Sequence, residues 1–283
     1  MGAHAGHIGY QQVTAWLFGR LPAVEGAELY ADNAAAMWVS LAPWSRPVPG
    51  TAPGVAAVDI PAQRGGRVIL RWRGAAGSRQ PVALVRALGL RGRVVVEDSF
   101  GELVLRRAGG GGVTVDRMPL MVRPASGAVP PGSRAAVVLV ADQEALVQAE
   151  RVIVEGFPRP ALQPYRPGRM LPPQVMTTPG WRTWLAYRYG RPAAACCTYD
   201  DGAALGVYWL AALPEHRSAG LGRAIMCAAL AASPGRPAVL VATAAGAALY
   251  SSLGFVAVSE AAWYRIQASP GQGATGWRPH LRR

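Results

Sequence analysis

Two glycines and an arginine mark the stretch with the clearest chemical content. Gly206-Val207-Tyr208-Trp209-Leu210 is an apolar, β-rich run that meets a turn at Pro214, and Arg217-Ser218-Ala219-Gly220-Leu221-Gly222 follows it. Beyond the second glycine, apolar residues at Leu221, Ala224, Ile225, Ala228 and Ala232 keep the spacing of one helical face. Glycines at a strand-to-helix turn let backbone N–H groups point outward together, because glycine accepts backbone angles other residues avoid. The helix start adds partial positive charge to those donors. The chemistry predicted for this stretch is the binding of a phosphate or pyrophosphate.

The identity of that anion is narrowed by what the chain lacks. Ile225 stands where the third glycine of G-x-G-x-x-G would fall, which argues against a dinucleotide site. All 29 basic residues are Arg and none is Lys, which excludes a Walker-type nucleotide loop. Cys196 and Cys197 are adjacent in a strand-like run and face opposite ways, and Cys227 lies on the helix after the glycines. None of His4, His7, His216 and His280 has zinc-ligand spacing to these cysteines. The thiols read as structural, and no metal site is expected.

The elements that must position this stretch come from a chain of 283 residues, 51% of them apolar, enough for one large domain or two of ordinary size. Its net charge of +13 raises the question of a nucleic-acid partner. Residues 1–132 carry 14 Arg against 8 acids, and residues 133–283 carry 15 against 8, so no basic tail concentrates the charge. Paired Cys/His motifs and an aromatic RNA-binding strand signature are absent, which argues against nucleic acid. No apolar run reaches the length of a bilayer span, and residues 1–20 lack a signal-peptide pattern. The expectation is a cytoplasmic protein without a membrane partner.

The order of elements reads as mixed α/β. A helix is predicted around residues 33–40, with Asn33 as its cap. Strands follow at Val55–Ile60 and Val68–Trp72, with Gly65-Gly66 in the hairpin turn between them. Ser78 caps a helix to about Leu88, and strands are predicted at Val94–Glu97, Leu103–Arg106 and, after the glycine run ending at Gly112, Val113–Val122. Pro130-Pro131-Gly132 marks a boundary, after which a strand (Ala135–Val140) and a helix starting near Asp142 restart the pattern. Residues 158–179 hold seven prolines and read as a functional loop. A hairpin (Trp184–Arg188, Ala193–Thr198) leads into the glycine stretch. Then come a strand at Ala238–Ala242, a helix at Ala245–Leu253, and closing strands at Phe255–Val258 and Trp263–Ile266.

Arg217-x-x-Gly220-x-Gly222 between a strand and a helix, followed by Leu249-Tyr250-Ser251-Ser252-Leu253-Gly254-Phe255, resembles the GCN5-related N-acetyltransferase (GNAT) superfamily. The element order from Ala135 to Ile266 is similar to that family over the second half. The resemblance implies acetyl-CoA, or another acyl-CoA, as cofactor. It implies that the backbone of Arg217, Ser218, Ala219, Gly220, Leu221 and Gly222 cradles the pyrophosphate, with Arg217 and Arg223 on phosphate oxygens. The strand edge Leu210, Ala211, Ala212 and Leu213 would pair with the pantetheine arm like an added strand. Tyr250 matches the tyrosine that protonates the departing thiolate in many members, a transfer that a phenol of pKa ~10 can make. Thr243 stands where many members carry a cofactor-contacting Asn. The strand Gly206–Leu213 has no Glu, the residue many members use to take the amine proton; Asp200, Asp201, Glu215 and Tyr208 are near it in sequence.

Residues 1–132 follow a similar element order without either motif. The expected architecture is therefore two GNAT-like domains in tandem, each a central, mixed and mostly antiparallel sheet flanked by helices. Residues 1–132 would be the degenerate domain, 133–268 the acyl-CoA-binding one, and 269–283 a tail. The leading function is transfer of an acyl group to a small-molecule or peptide amine by direct attack on the thioester. The alternatives are a non-catalytic acyl-CoA sensor, or another reaction on the same cofactor such as decarboxylation. The acceptor is expected against the Pro-rich loop, near Tyr165, Arg166 and Arg169, or between the two halves.

Overall fold

The computed structural model describes residues 23–77, 79–105, 112–129, 135–157 and 162–268. Ser78, Gly109 to Gly111, the Pro130–Gly132 boundary, the 269–283 tail, His4, His7 and His280 lie outside the described residues.

In chain order the elements are α1 (Ala23–Ser40), β1 (Arg46–Pro47), β2 (Val55–Ile60), β3 (Gly65–Leu70), α2 (Pro81–Ala87), β4 (Gly92–Asp98) and β5 (Val113–Arg123). The second half supplies β6 (Ala136–Leu139), α3 (Gln143–Gly156), β7 (Trp181–Arg188), β8 (Arg191–Asp200), β9 (Leu205–Ala212), α4 (Leu221–Ala231), β10 (Ala238–Val241), α5 (Ala244–Ser252) and β11 (Val256–Ala268). Mixed α/β architecture is as the sequence predicts. The expected sheet for each half is replaced by one sheet of eleven strands among the described residues, in the order β1-β2-β3-β4-β11-β5-β10-β9-β8-β7-β6.

The reason is an exchange of closing strands. Each half has a parallel pair bridged by a helix, β3 and β4 around α2 and β9 and β10 around α4. Next to β4 lies β11 from the second half, and next to β10 lies β5 from the first. β5 and β11 pair with each other at the centre. What reads in sequence as two closing strands is the single β11, bent by a bulge between Ala257 and Ser259.

Helices cover both faces. On one, α1 and α3 share a core that joins Ile69, Leu120 and Val122 of the first half to Leu185, Tyr208 and Val239 of the second. On the other, α2 packs on β3, β4 and β11, while α4 and α5 pack on the second-half strands as a separate core. No helix among the described residues is long and apolar enough to cross a membrane.

Three local readings are corrected. Asn33 is not a helix cap: α1 begins ten residues earlier, and Asn33 is a fully buried residue in its middle. Gly65 and Gly66 are not turn residues. Pro61–Gln63 and Arg64, at φ 50°, make the turn, and the glycines begin β3 because a Cβ at Gly65 would lie 1.9 Å from the Arg93 carbonyl oxygen. Leu103–Arg106 forms no strand over its described residues. Its backbone is spent on side chains instead: Leu103 N–H donates to Asp98 Oδ2 (2.7 Å), and the Leu103 carbonyl accepts from the Tyr264 hydroxyl. Asp142 does cap α3, accepting from Ala145 N–H at 2.8 Å.

Candidate functional site

The site opens where two parallel strands part. β9 and β10 pair only at Leu205↔Ala238 and Gly206↔Val239. Past that point β9 carries a bulge: Cys197 of β8 faces Tyr208, but Ala195 faces Ala211. Trp209 takes up the extra residue at φ 54°, a conformation that costs a non-glycine residue about 1 kcal/mol or more unless its surroundings hold it. The ring is held by Trp38 at 5.7 Å, Trp181 at 6.1 Å and Tyr208 at 6.0 Å between centroids. The freed strand ends border a cavity of about 650 Å³, lined by Val207, Trp209, Leu210, Ala211 and Ala212 on one side and Val241 and Thr243 on the other.

The cavity ends on the start of α4. Gly220, at φ 76°, occupies the cap position, and Ser218, at φ 57°, makes the tight entry. No side chain caps the helix, so its first N–H groups are open to a ligand. Gly222 lies against the cavity wall, where a Cβ would come 3.2 Å from Leu249 Cδ2 and 3.6 Å from Leu210 Cδ2. Arg217 and Arg223 both line the cavity. Arg217 Nη2 donates to the Gly156 carbonyl at the end of α3 (3.0 Å), and Arg223 Nη1 donates to Ser252 Oγ (3.0 Å).

Tyr250, on α5, completes the wall. It is buried edge-on against Phe255, with centroids 5.8 Å apart. Burial, and secondarily the Cys196 thiol, holds its phenol well above the ordinary tyrosine value, so it stays protonated. Ten of the predicted cofactor contacts and Tyr250 therefore converge: Leu210, Ala211, Ala212, Arg217, Ser218, Gly220, Leu221, Gly222, Arg223 and Thr243 with Tyr250 all line one cavity. Leu213 and Ala219 do not; Leu213 N–H is taken by the Ala193 carbonyl at 2.9 Å.

Sequence reasoning passed over several lining residues. His216 lines the cavity with a buried Nδ1 that has no hydrogen-bond partner. Gly156 and Phe157 also line it, and among the described residues no lining residue is Asp or Glu. The described residues of the Pro-rich stretch, 162–179, do not line this cavity. Buried Glu150 of α3 accepts from Gly168, Met170 and Leu171 N–H (2.7–3.1 Å) and from the Tyr165 hydroxyl (3.2 Å). Gln174 Nε2 reaches the Leu41 carbonyl at 2.7 Å, so the stretch straps α3 to the end of α1.

Residues 179–257, from just before β7 to the start of β11, match the acetyltransferase (GNAT) domain. No curated protein matches the chain. Among solved structures the chain is similar to a GCN5-related N-acetyltransferase from Kribbella flavida, at 19% identity over 86% of this chain and 96% of that one, with a TM-score of 0.54. It is also similar to a functionally unknown conserved protein from Staphylococcus epidermidis ATCC 12228, at 12% identity over 77% and 92%, with a TM-score of 0.52. At such identities the likeness shows the fold. Residues 179–257 thus match an acetyltransferase (GNAT) domain, and the chain shares its overall fold with these two solved structures.

Proposed function

We propose that the cleft between β9 and β10 binds an acyl-coenzyme A, with acetyl-CoA the expected form, and that the protein transfers the acyl group to a small-molecule or peptide amine. The parting of the two strands above an uncapped helix start carries this reading. It joins a strand edge suited to an extended arm with an end suited to a pyrophosphate. The fit to a coenzyme A is supported by the bare helix start at Gly220 and by Arg217 and Arg223, which line the cavity with it.

The bound cofactor would supply a thioester activated toward amines. The chain's own residues orient it: the Leu210–Ala212 edge along the arm, and Ser218 to Gly222 with Arg217 and Arg223 at the phosphates. Tyr250, which burial keeps protonated, would be the donor of a proton from Oη to the sulfur that leaves. The two halves read as tandem units, 1–132 and 133–268, that have exchanged their closing strands.

A second reading, a non-catalytic acyl-CoA-binding module, is favoured by one observation: among the described residues no carboxylate lines the cavity to take the amine proton. Acetyl-CoA binding and thiol release over a panel of amines separate the two. Amine-dependent thiol release is expected. Binding without release for any amine favours the module, and no binding overturns both readings.

A further inference from the structure

The point at which β9 leaves β10 is also where the first half of the chain reaches into the second. α1 crosses one face of the sheet from β2 to β8. Midway along it Asn33, fully buried, donates from Nδ2 to the carbonyls of Tyr199 (3.2 Å) and Ala204 (3.0 Å), on either side of the turn into β9. Its Oδ1 accepts from the Tyr208 hydroxyl at 2.6 Å. It approaches Gly206 so closely that a Cβ there would lie 1.9 Å from Oδ1. Gly206 is the last β9 residue paired with β10, and Tyr208 directly precedes the bulged Trp209. One side chain from the first half therefore fastens β9 on both sides of the parting.

We infer that Asn33 is a positioning residue for the cleft: it anchors the start of β9 and, through Tyr208, holds the bulge at Trp209 that keeps the strands apart. This rests on the acyl-CoA reading for its consequence in turnover, but not for its structural content. A helix residue with no packing role beyond burial would not need its three polar contacts gathered on the end of β8, the entry to β9 and β9 itself. Asn33 does, and the glycine opposite it exists in the only form that admits it.

The test compares Asn33→Ala with Leu84→Ala, a buried α2 residue on the opposite face that destabilises without touching β9. Amide hydrogen exchange is followed in the cofactor-free full-length protein under conditions where both variants are folded. Asn33→Ala is expected to speed exchange across 207–212 at least ~10-fold more than Leu84→Ala does, with β3 and β4 no faster than in Leu84→Ala. Equal exchange over 207–212 in the two variants overturns the inference. If Asn33→Ala does not fold, Tyr208→Phe, which removes one donor and keeps the ring, is held to the same criterion at ~3-fold. Acetyl-CoA affinity and kcat are read in parallel, with a loss of ~10-fold expected in Asn33→Ala only. A wild-type protein that binds no acetyl-CoA defeats the functional reading, while the exchange comparison still decides the role of Asn33.

Discussion

Two regions of the sheet share a topology and differ in what they leave open. In each, a parallel strand pair is bridged by a helix on the same face. β3 and β4 stay paired through six consecutive residues, from Gly65↔Arg93 to Leu70↔Asp98. β9 and β10 stay paired through two. The loops diverge as well. In the first half Gly74 N–H donates to the carboxylate of Glu102 (2.6 Å), so the turn before α2 already holds an anion of its own chain. In the second half the turn before α4 presents Gly220 uncapped to a cavity with Arg217 and Arg223 beside it. A ligand slot in this architecture thus needs more than the βαβ unit. It needs a strand that stops pairing and a cavity that opens on the helix start.

The largest effect should come from closing the open region. Gly222→Leu puts a branched side chain where a Cβ alone already meets Leu249 and Leu210, and should weaken acetyl-CoA binding ~100-fold with little loss of fold. Isothermal titration measures it, with circular dichroism to confirm folding. Unchanged affinity would remove the loop from the cofactor site and erase the contrast between the halves.

Tyr250→Phe comes next. It keeps the ring against Phe255 and should lower kcat ~10-fold while leaving acetyl-CoA affinity unchanged. Because burial raises the phenol's pKa, the wild-type rate should not fall as the pH passes ~10, where an exposed tyrosine would lose its proton. The same sign governs stability. Tyr250, Tyr208, Cys196 and Cys197, the last pushed to about 12, hold their protons more tightly folded than unfolded. Their contribution is full below the unfolded pKa values and is lost as the pH climbs toward the folded ones. Thermal denaturation should therefore show a falling Tm from pH ~8.5 upward.

The open region was legible in the sequence where its physics is local. Gly220 and Gly222 announce an uncapped helix start because backbone angle and helix polarity are properties of a few consecutive residues. Tyr250 is legible only through the resemblance of Leu249–Phe255 to the GNAT superfamily, not through local physics. The parting of the strands was not legible. Gly206-Val207-Tyr208-Trp209-Leu210 has no residue that favours positive φ at position 209; the bulge is imposed by Trp38, Trp181 and Tyr208 around the ring. Asn33 was misread because a residue that caps a helix and one that binds distant carbonyls are the same residue in sequence. The exchange of β5 and β11 was hidden for a similar reason: both read as strands, and their partners lie in the other half of the chain.

The smallest effect on the ligand, and so the sharpest control, belongs to the closed region. Gly65→Ala places a Cβ 1.9 Å from the Arg93 carbonyl oxygen, an overlap that forces β3 and β4 to shift and should cost ~3 kcal/mol of stability. If the six-pair register makes this region a scaffold, the loss appears as a lower Tm or denaturation midpoint, while acetyl-CoA affinity below the transition stays within ~2-fold of wild type. The distinction is physical. Within the sheet β3 and β4 are separated from the open cleft by β11, β5 and β10, and the Glu102 carboxylate already satisfies the Gly74 N–H. A Gly65→Ala protein that keeps its stability but loses affinity would mean that the closed pair opens to a ligand after all, and that the halves differ in occupant rather than in kind.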